Sequence, residues 1–371
     1  MNYCGIDLHS NRFTCCFLYE DGGREKITFD VSPDAINKFK SMLNLNTSVI
    51  IEASTNTFKF IESIRDYISE AVIVNTYKMK LIPMSGKKTD KVDAEKLAIY
   101  LKMCSSSGEN LINPVYIPDE SIQDLRSLFT THSLIKRHIG AIKNRIHSLL
   151  KQHLQPFTKE YIFGKKTRAI VRAITINQVS DYQLNLLFEE LEAKEKLYEE
   201  IEDRIKIEGV KYIKEIEILT SMTGISVITA LAIIADIATV ERFPNAKHFT
   251  SYLRTAPEVD SSNETVIIKG TNKNGRKLSV TLISQSLNHF RDSNPRLKYW
   301  YNKKEEYHFK KGKLRMALCR KVLAEIYHML NKQEYHYYRN SELHRKKMNE
   351  YYQFLEAHGV VLKKIAPGTT R

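Results

Sequence analysis

The chain predicts an α/β domain, then a central helical coiled coil, then a mostly helical C-terminal domain. Three observations carry this. Short β-prone runs alternate with helical segments up to about Met103, apolar residues then recur at spacings of three and four along two long polar segments, and from Leu219 the sequence opens on two apolar helical runs. With 371 residues there is ample chain for two or three domains with real cores.

The elements follow in order. Tyr3 to Leu8, Phe13 to Tyr19 and Arg24 to Asp30 read as strands, and Asp21-Gly22-Gly23 turns the second into the third as a hairpin. Ser32-Pro33 starts a helix to about Leu43, Thr47 to Ala53 is an apolar strand, Thr57 to Ser69 is helical, and Ala71 to Asn75 is a further strand. A helix then runs from about Asp90 to Met103. The order βββαβαβ plus a helix is that of an RNase H-like (RuvC-like) domain over residues 1–105, a mixed sheet with helices on both faces. Ser105 to Gly108, with Pro114 and Pro118, forms a polar linker.

Over residues 119–217, Leu125, Leu128, Ile135, Ile139, Ile142, Ile146 and Leu149 make one heptad seam, with His132 in register. Leu184, Leu187, Leu191, Tyr198, Ile201, Ile205 and Tyr212 make a second. Heptads do not count chains, so an antiparallel hairpin within one chain and an oligomerisation arm are both open. In the last segment, residues 218–371, Gly224-Ile225-Ser226 separates two apolar helices. It reads either as a helix-hairpin-helix turn with N–H groups toward a phosphate, or as a glycine C-cap followed by a serine N-cap.

Composition excludes several classes. The longest apolar run, Thr229 to Ala238, carries Asp236 and falls far short of the roughly 20 residues a bilayer needs, so no membrane is expected. No basic leader with an apolar run opens the chain, and a cytoplasmic protein is expected. Cys4, Cys15, Cys16, Cys104 and Cys319 show no C-x-x-C spacing and read as reduced packing residues. A formal net charge of +14 favours a polyanionic partner, nucleic acid first.

Four acids stand out. Asp7 lies in the first strand and Glu52 at the end of the fourth, while Asp90 and Asp93 share a helix face with Ala94, Leu97, Ala98 and Leu101. Carboxylates beside an apolar stripe are costly unless paired, and divalent cations explain them together. Hard oxygen ligands suit Mg²⁺ or Mn²⁺. Such a cluster, about 10 Å across, serves phosphodiester cleavage or transfer. Singly, the same residues read as a helix cap, a dipole partner and salt bridges.

C-G-I-D-L-H, V-I-I-E-A-S and K-K-T-D-K-V-D-A-E-K-L-A together resemble the DEDD transposases of the insertion sequence 110 family, relatives of the pilin-gene inverting recombinase. The resemblance extends to about Tyr337. It implies that Asp7, Glu52, Asp90 and Asp93 are the catalytic, metal-binding acids of a RuvC-like site. It further implies a DNA transposase that mobilises an insertion sequence as a homo-oligomer, dimer or tetramer, with a structured noncoding guide RNA as partner. The family's serine nucleophile corresponds to Ser262 in Asp260-Ser261-Ser262-Asn263; Asn263 stands where the family has glycine, which leaves Ser261 as a rival. On its own this tetrapeptide reads as a polar turn.

Residues 263–315 carry 13 Lys and Arg against four acids, net +9. Lys269, Lys273, Arg276 and Lys277 lead this stretch as candidate nucleic-acid contacts, and Tyr299-Trp300-Tyr301, Tyr307 and Phe309 interleave aromatics, with Trp300 expected in the core. A junction resolvase needs the acids without Ser262 or long coiled coils, and a nucleic-acid-binding scaffold needs neither as catalysts. An actin-like ATPase requires Gly-rich phosphate loops that the sequence lacks.

Overall fold

The computed structural model describes residues 1–75, 89–107, 114–155, 157–164, 166–262, 265–271, 275–307 and 310–360. The chain divides into two units, Met1–Pro118 and Asp119–Arg371. The second unit takes in both the 119–217 and the 218–371 stretches of the sequence reading.

The first unit is built on β1 (Asn2–Leu8), β2 (Arg12–Leu18), β3 (Arg24–Asp30), α1 (Pro33–Met42), β4 (Thr47–Glu52), α2 (Thr57–Ile64), β5 (Glu70–Val74) and α3 (Asp90–Ser107). The strand order is β3-β2-β1-β4-β5, with β1 parallel to β4 and antiparallel to β2. Alternation then sorts the side chains. Cys4, Ile6, Phe13, Cys15, Val49 and Ile51 face the core under α1 and α2, whereas Cys16, Leu18, Ile50 and Val72 face α3. Asp7 and Glu52 share the parity of the α3 face. The helix expected to run on to Ser69 ends at Ile64 and tightens into a 3₁₀ turn, Arg65–Tyr67. The proline-punctuated linker is not loose where it is described: Val115 N–H donates to Ile73 O at 2.7 Å, and Val115 and Ile117 pack on the sheet.

How α3 reaches β1 depends on one glycine. A Cβ at Gly5 would collide with the Ala94 carbonyl and lie 2.5 Å from Ala98 N, and Ala94 and Ala98 are themselves fully buried. Small residues on both surfaces therefore let the helix lie on the strand, which sets Asp90 and Asp93 beside Asp7. Gly5→Val is expected to destabilise by about 3 kcal/mol through overpacking; an unchanged urea midpoint would show that the helix can move aside at no cost.

The second unit comprises α4 (Glu120–Gln152), α5 (Lys159–Phe163), α6 (Arg168–Arg172), α7 (Gln178–Glu208), α8 (Ile213–Thr220), α9 (Val227–Ile237), α10 (Ala246–Tyr252), β6 (Pro257–Ser262), β7 (Thr265–Thr271), α11 (Leu278–Gln285), α12 (Leu287–Ser293), α13 (Pro295–Glu306), α14 (Lys311–Lys332) and α15 (Ser341–Ala357). Asp119 and Asn177 cap the two long helices, accepting from Ile122 N–H and Ser180 N–H. The heptad seams meet each other within the chain. Ile142, Ile146 and Leu149 pack with Leu184, Phe188 and Leu191 in one core, while Leu125 and Ile205 join α9, α14 and α15 in another. The base of the hairpin is thus continuous with the C-terminal core.

One polar node sits in that hairpin. His132, buried, lies 3.2 Å from Glu202 through Nε2, and its ring stacks on Tyr198 at 4.6 Å. Burial pushes the Glu202 carboxyl up, but hydrogen bonds from His132 and Tyr198 outweigh this and hold it below the usual glutamate range. A depressed carboxyl contributes stability above its unfolded value that is lost as pH falls through the folded value. Glu202→Gln is therefore expected to flatten the fall in thermal midpoint on the acid side of the ordinary glutamate pKa. An acid limb as steep as in the parent protein would remove the node from the account.

Around Gly224, φ is +103°, and α8 ends at Thr220 with Ser221 as its C-cap, so this glycine is a turn residue and not the C-cap that one of the two readings made it. Ser226 does cap α9, accepting from Thr229 N–H. Lys347 Nζ, on α15, donates to the Ile225 carbonyl at 2.8 Å. The chain remains helical through α15, where Met348, Tyr351 and Leu355 are buried in the same core.

Candidate active site

The acidic cluster forms at the carboxyl ends of the central parallel strands, where α/β sheets place their chemistry. In β1, Asp7 follows the Ile6↔Ile51 pair of the β1–β4 ladder, so it stands beside Glu52 at the end of β4. The loop after β4 is pinned by Thr57, whose hydroxyl donates to Glu52 O at 2.7 Å, and by Asn56, whose amide donates to the His9 carbonyl at 3.3 Å. Asp90 and Asp93 enter from the first turn of α3.

Burial pushes the Asp7 carboxyl above the usual range; His9 pulls it down, and the charges of Asp90, Asp93 and Glu52 push it up further. The other three predicted acids therefore all stand close enough to act on Asp7. Their burial is uneven. The Asp7 side chain is 15% exposed, Asp90 and Asp93 are each 33% exposed, and Glu52 is exposed outright.

The expectation of two unpaired carboxylates on a buried helix face is corrected here. Asp90 pairs with Arg12 Nη2 at 3.1 Å and with His9 Nε2 at 3.7 Å, and Asp93 lies 3.8 Å from Lys96. The helix face tilts open at its first turn, while its apolar part, Ala94 through Leu101, stays covered. His9 and Arg12 were missed in the sequence. The His two residues after Asp7 in C-G-I-D-L-H was the available signal: β1 ends at Leu8, so His9 turns back over the strand end.

Asp7, His9 and Asp90 each offer a ligand atom, all within 4.8 Å of one another, a spacing a divalent cation can close with small rotamer shifts. The donor set, oxygens with one imidazole and no thiolate, fits a hard or borderline ion.

The remaining candidates lie in the second unit. Ser262 ends β6 opposite Thr265 of β7, so Asp260, Ser261 and Ser262 are strand residues and not a four-residue turn; Asn263 lies outside the described residues. Lys269 is in β7, Lys277 is exposed at the start of α11, and Lys273 and Phe309 lie outside the described residues. Arg276 stands next to Lys277 and also acts within the fold. It is half-buried, and its charge acts on Asp236 and Arg126. Asp236 is fully buried and accepts from Ser279 N–H at 2.9 Å and Ser279 Oγ at 2.8 Å, capping α11 from another helix. Arg126 donates to the carbonyls of Ala235 and Asp236. Trp300 is partly buried, as anticipated, with Lys321 Nζ 4.8 Å from its ring.

Two family models match the chain. The DEDD transposase model of the IS110 family covers residues 4–155, and the model described as Transposase IS116/IS110/IS902 family covers residues 216–301. The chain belongs to the IS110 family of DEDD transposases. Its first unit accordingly has the RNase H-like fold of that domain, and its activity is that of a DNA transposase. The first match takes in all the described acids of the cluster, and the second takes in Ser262. Among curated proteins, none matches the transposase. No helix among the described residues is long and apolar enough to cross a membrane.

Proposed function

We propose that this transposase cuts and rejoins DNA strands with Asp7, Glu52, Asp90 and Asp93 holding Mg²⁺ or Mn²⁺, and with Ser262 as nucleophile. The observation that carries the metal reading is the crowding at Asp7, whose carboxyl is destabilised by burial and by three other acids at once. Like charges so gathered need a counterion, and His9 and Arg12 supply it only in part. Divalent cations bound there supply Lewis-acid stabilisation of the oxygens that gain charge during phosphoryl transfer. Asp7 and Glu52, fixed on strand ends, set the position of the site, and Asp90 and Asp93 close it from the helix.

Ser262 Oγ attacks the phosphorus and gives a phosphoserine ester as the strand's P–O bond breaks, and a DNA hydroxyl later reverses the step. Lys269, Lys273, Arg276 and Lys277 hold the backbone. Residues 1–105 form the catalytic domain, 119–217 the oligomerisation region and 218–371 the strand-handling domain. The hairpin supports a homo-oligomer, dimer or tetramer, because it leaves Val179, Tyr182, Leu186 and Leu197 exposed outside its own seam. A structured noncoding RNA directs the reaction, in line with the family resemblance.

Asp93→Ala, assayed on DNA bearing the ends of the element, is the direct test of the acids: retained strand cleavage rejects the metal reading. Sequencing the nucleic acid that copurifies decides the guide, since mixed cellular RNA with no element-derived species rejects it. Light scattering in the presence of that nucleic acid decides the oligomer, and a strict monomer reduces the seams to an internal hairpin.

A further inference from the structure

Between α14 and α15 the chain reads Glu334-Tyr335-His336-Tyr337-Tyr338-Arg339, an aromatic density unusual for a connecting loop. The loop is held in place. Gln333 is left-handed, with φ +56°, His336 N–H donates to Ser221 Oγ at 2.8 Å, and Arg339 N–H donates to the His336 carbonyl at 3.1 Å. It walls a cavity of about 230 Å³ together with Asn294, Glu325 and His328. Tyr337, one of the lining residues, is 86% exposed and meets Tyr338 in a T-shaped contact at 4.9 Å, so a large flat ring stands largely uncovered beside the cavity.

The polar groups of the cavity point to one ligand chemistry. Buried Asn294 donates its amide to both Glu325 oxygens, at 3.1 and 3.2 Å, and so fixes the carboxylate. His336 Nε2 lies 3.2 Å from Glu325 Oε2; with the proton on Nε2, Nδ1 carries a lone pair, and this buried atom has no hydrogen-bond partner. The lining thus presents acceptors, a carboxylate and an imidazole nitrogen. Arg296 and Lys332 stand exposed among its lining residues beside the single exposed acid Glu334, so two cations against one acid lie at the rim. Acceptors inside, an aromatic platform and cations outside match an unpaired base whose phosphates stay in solvent. The volume suits a base alone.

We propose that this cavity seats an unpaired nucleobase bearing an exocyclic amine (adenine, cytosine or guanine), stacked on Tyr337 with its amine toward Glu325 and His336. Thymine and uracil present a carbonyl at the corresponding edge and leave the acceptors unpaired. The proposal rests on the reading of the chain as a nucleic-acid enzyme, and adds a base-selective hold on single strands in the second unit.

Fluorescence anisotropy of the full chain with labelled short homopolymers tests it, using the adenine, cytosine and thymine DNA series and the adenine, cytosine and uracil RNA series. The adenine and cytosine strands are expected to bind more tightly than thymine or uracil strands, and the DNA and RNA arms identify which nucleic acid the pocket takes. Tyr337→Ala, a change at an exposed loop position, is expected to weaken the adenine and cytosine complexes by about tenfold, while Tyr337→Phe keeps the ring and restores them. Glu325→Gln, which adds a donor, is expected to shift preference toward thymine or uracil. Equal affinity for all bases, or no loss in Tyr337→Ala, overturns the pocket. If strand cleavage persists in such a case, the pocket alone falls. If the unmodified chain binds none of the strands, the pocket falls, and absence of strand cleavage as well takes the catalytic reading with it.

Discussion

Asp7→Asn is expected to lower strand cleavage by about 10³-fold or more while leaving DNA affinity and fold intact, and to raise thermal stability in the absence of divalent cations. The activity loss follows from removing a central carboxylate of the cluster. The stability gain follows from the sign of its shift. Burial and three neighbouring acids raise the Asp7 pKa, so its charged form is disfavoured in the fold. That penalty sets in as pH rises past the ordinary aspartate value and is complete above the folded value. An amide of the same shape abolishes it, a trade of stability for function common at catalytic sites. Added Mg²⁺ or Mn²⁺ should raise the melting temperature of the parent protein and not that of the variant, by linkage. A variant that melts lower without metal and cleaves normally would show the carboxylate to be structural.

Ser262→Ala is expected to bind DNA with the parent's affinity yet form no covalent protein–DNA adduct, a complete loss on a denaturing gel. A serine hydroxyl is a weak nucleophile until its proton is taken, so the adduct should also vanish on chelation of divalent cations. Ser261→Ala is the necessary companion. Ser261→Ala should retain adduct formation. Adduct loss confined to Ser261→Ala shifts the nucleophile by one residue, and strand exchange by Ser262→Ala leaves water or a DNA hydroxyl as the attacking group.

Much of the first unit was legible because its signals are local. Period-two alternation, the Asp-Gly-Gly turn and the Ser-Pro helix start are each settled within a few residues, and the observed strands begin and end within a residue or two of those read from the pattern. The three-and-four spacing of Asp90, Asp93, Ala94, Leu97 and Ala98 likewise set one helix face. His9 and Arg12 escaped notice because neither belongs to a periodic pattern. They matter only because β1 stops at Leu8 and β2 starts at Arg12, which folds both back toward Asp90.

The second unit shows where local pattern runs out. A heptad repeat states that a helix has an apolar seam, and two seams of matching length can satisfy each other or a second chain equally well. Here Leu149 and Leu184 share one core because α5 and α6 return the chain. Arg276 belongs to a basic run in the sequence, and that run does not reveal that its charge also acts on buried Asp236, forty residues away.

The amino-acid sequence by itself determined the order of elements, the two heptad seams and the family to which the transposase belongs, since these depend on residue type and spacing over short stretches. Tertiary structure alone decided which charges meet. Gly5 admits α3 against β1 and so carries Asp90 to within reach of His9 and Arg12, and Ser279 binds Asp236 because α11 packs on α9. Electrostatic interactions depend on distance in space, which local residue patterns do not encode.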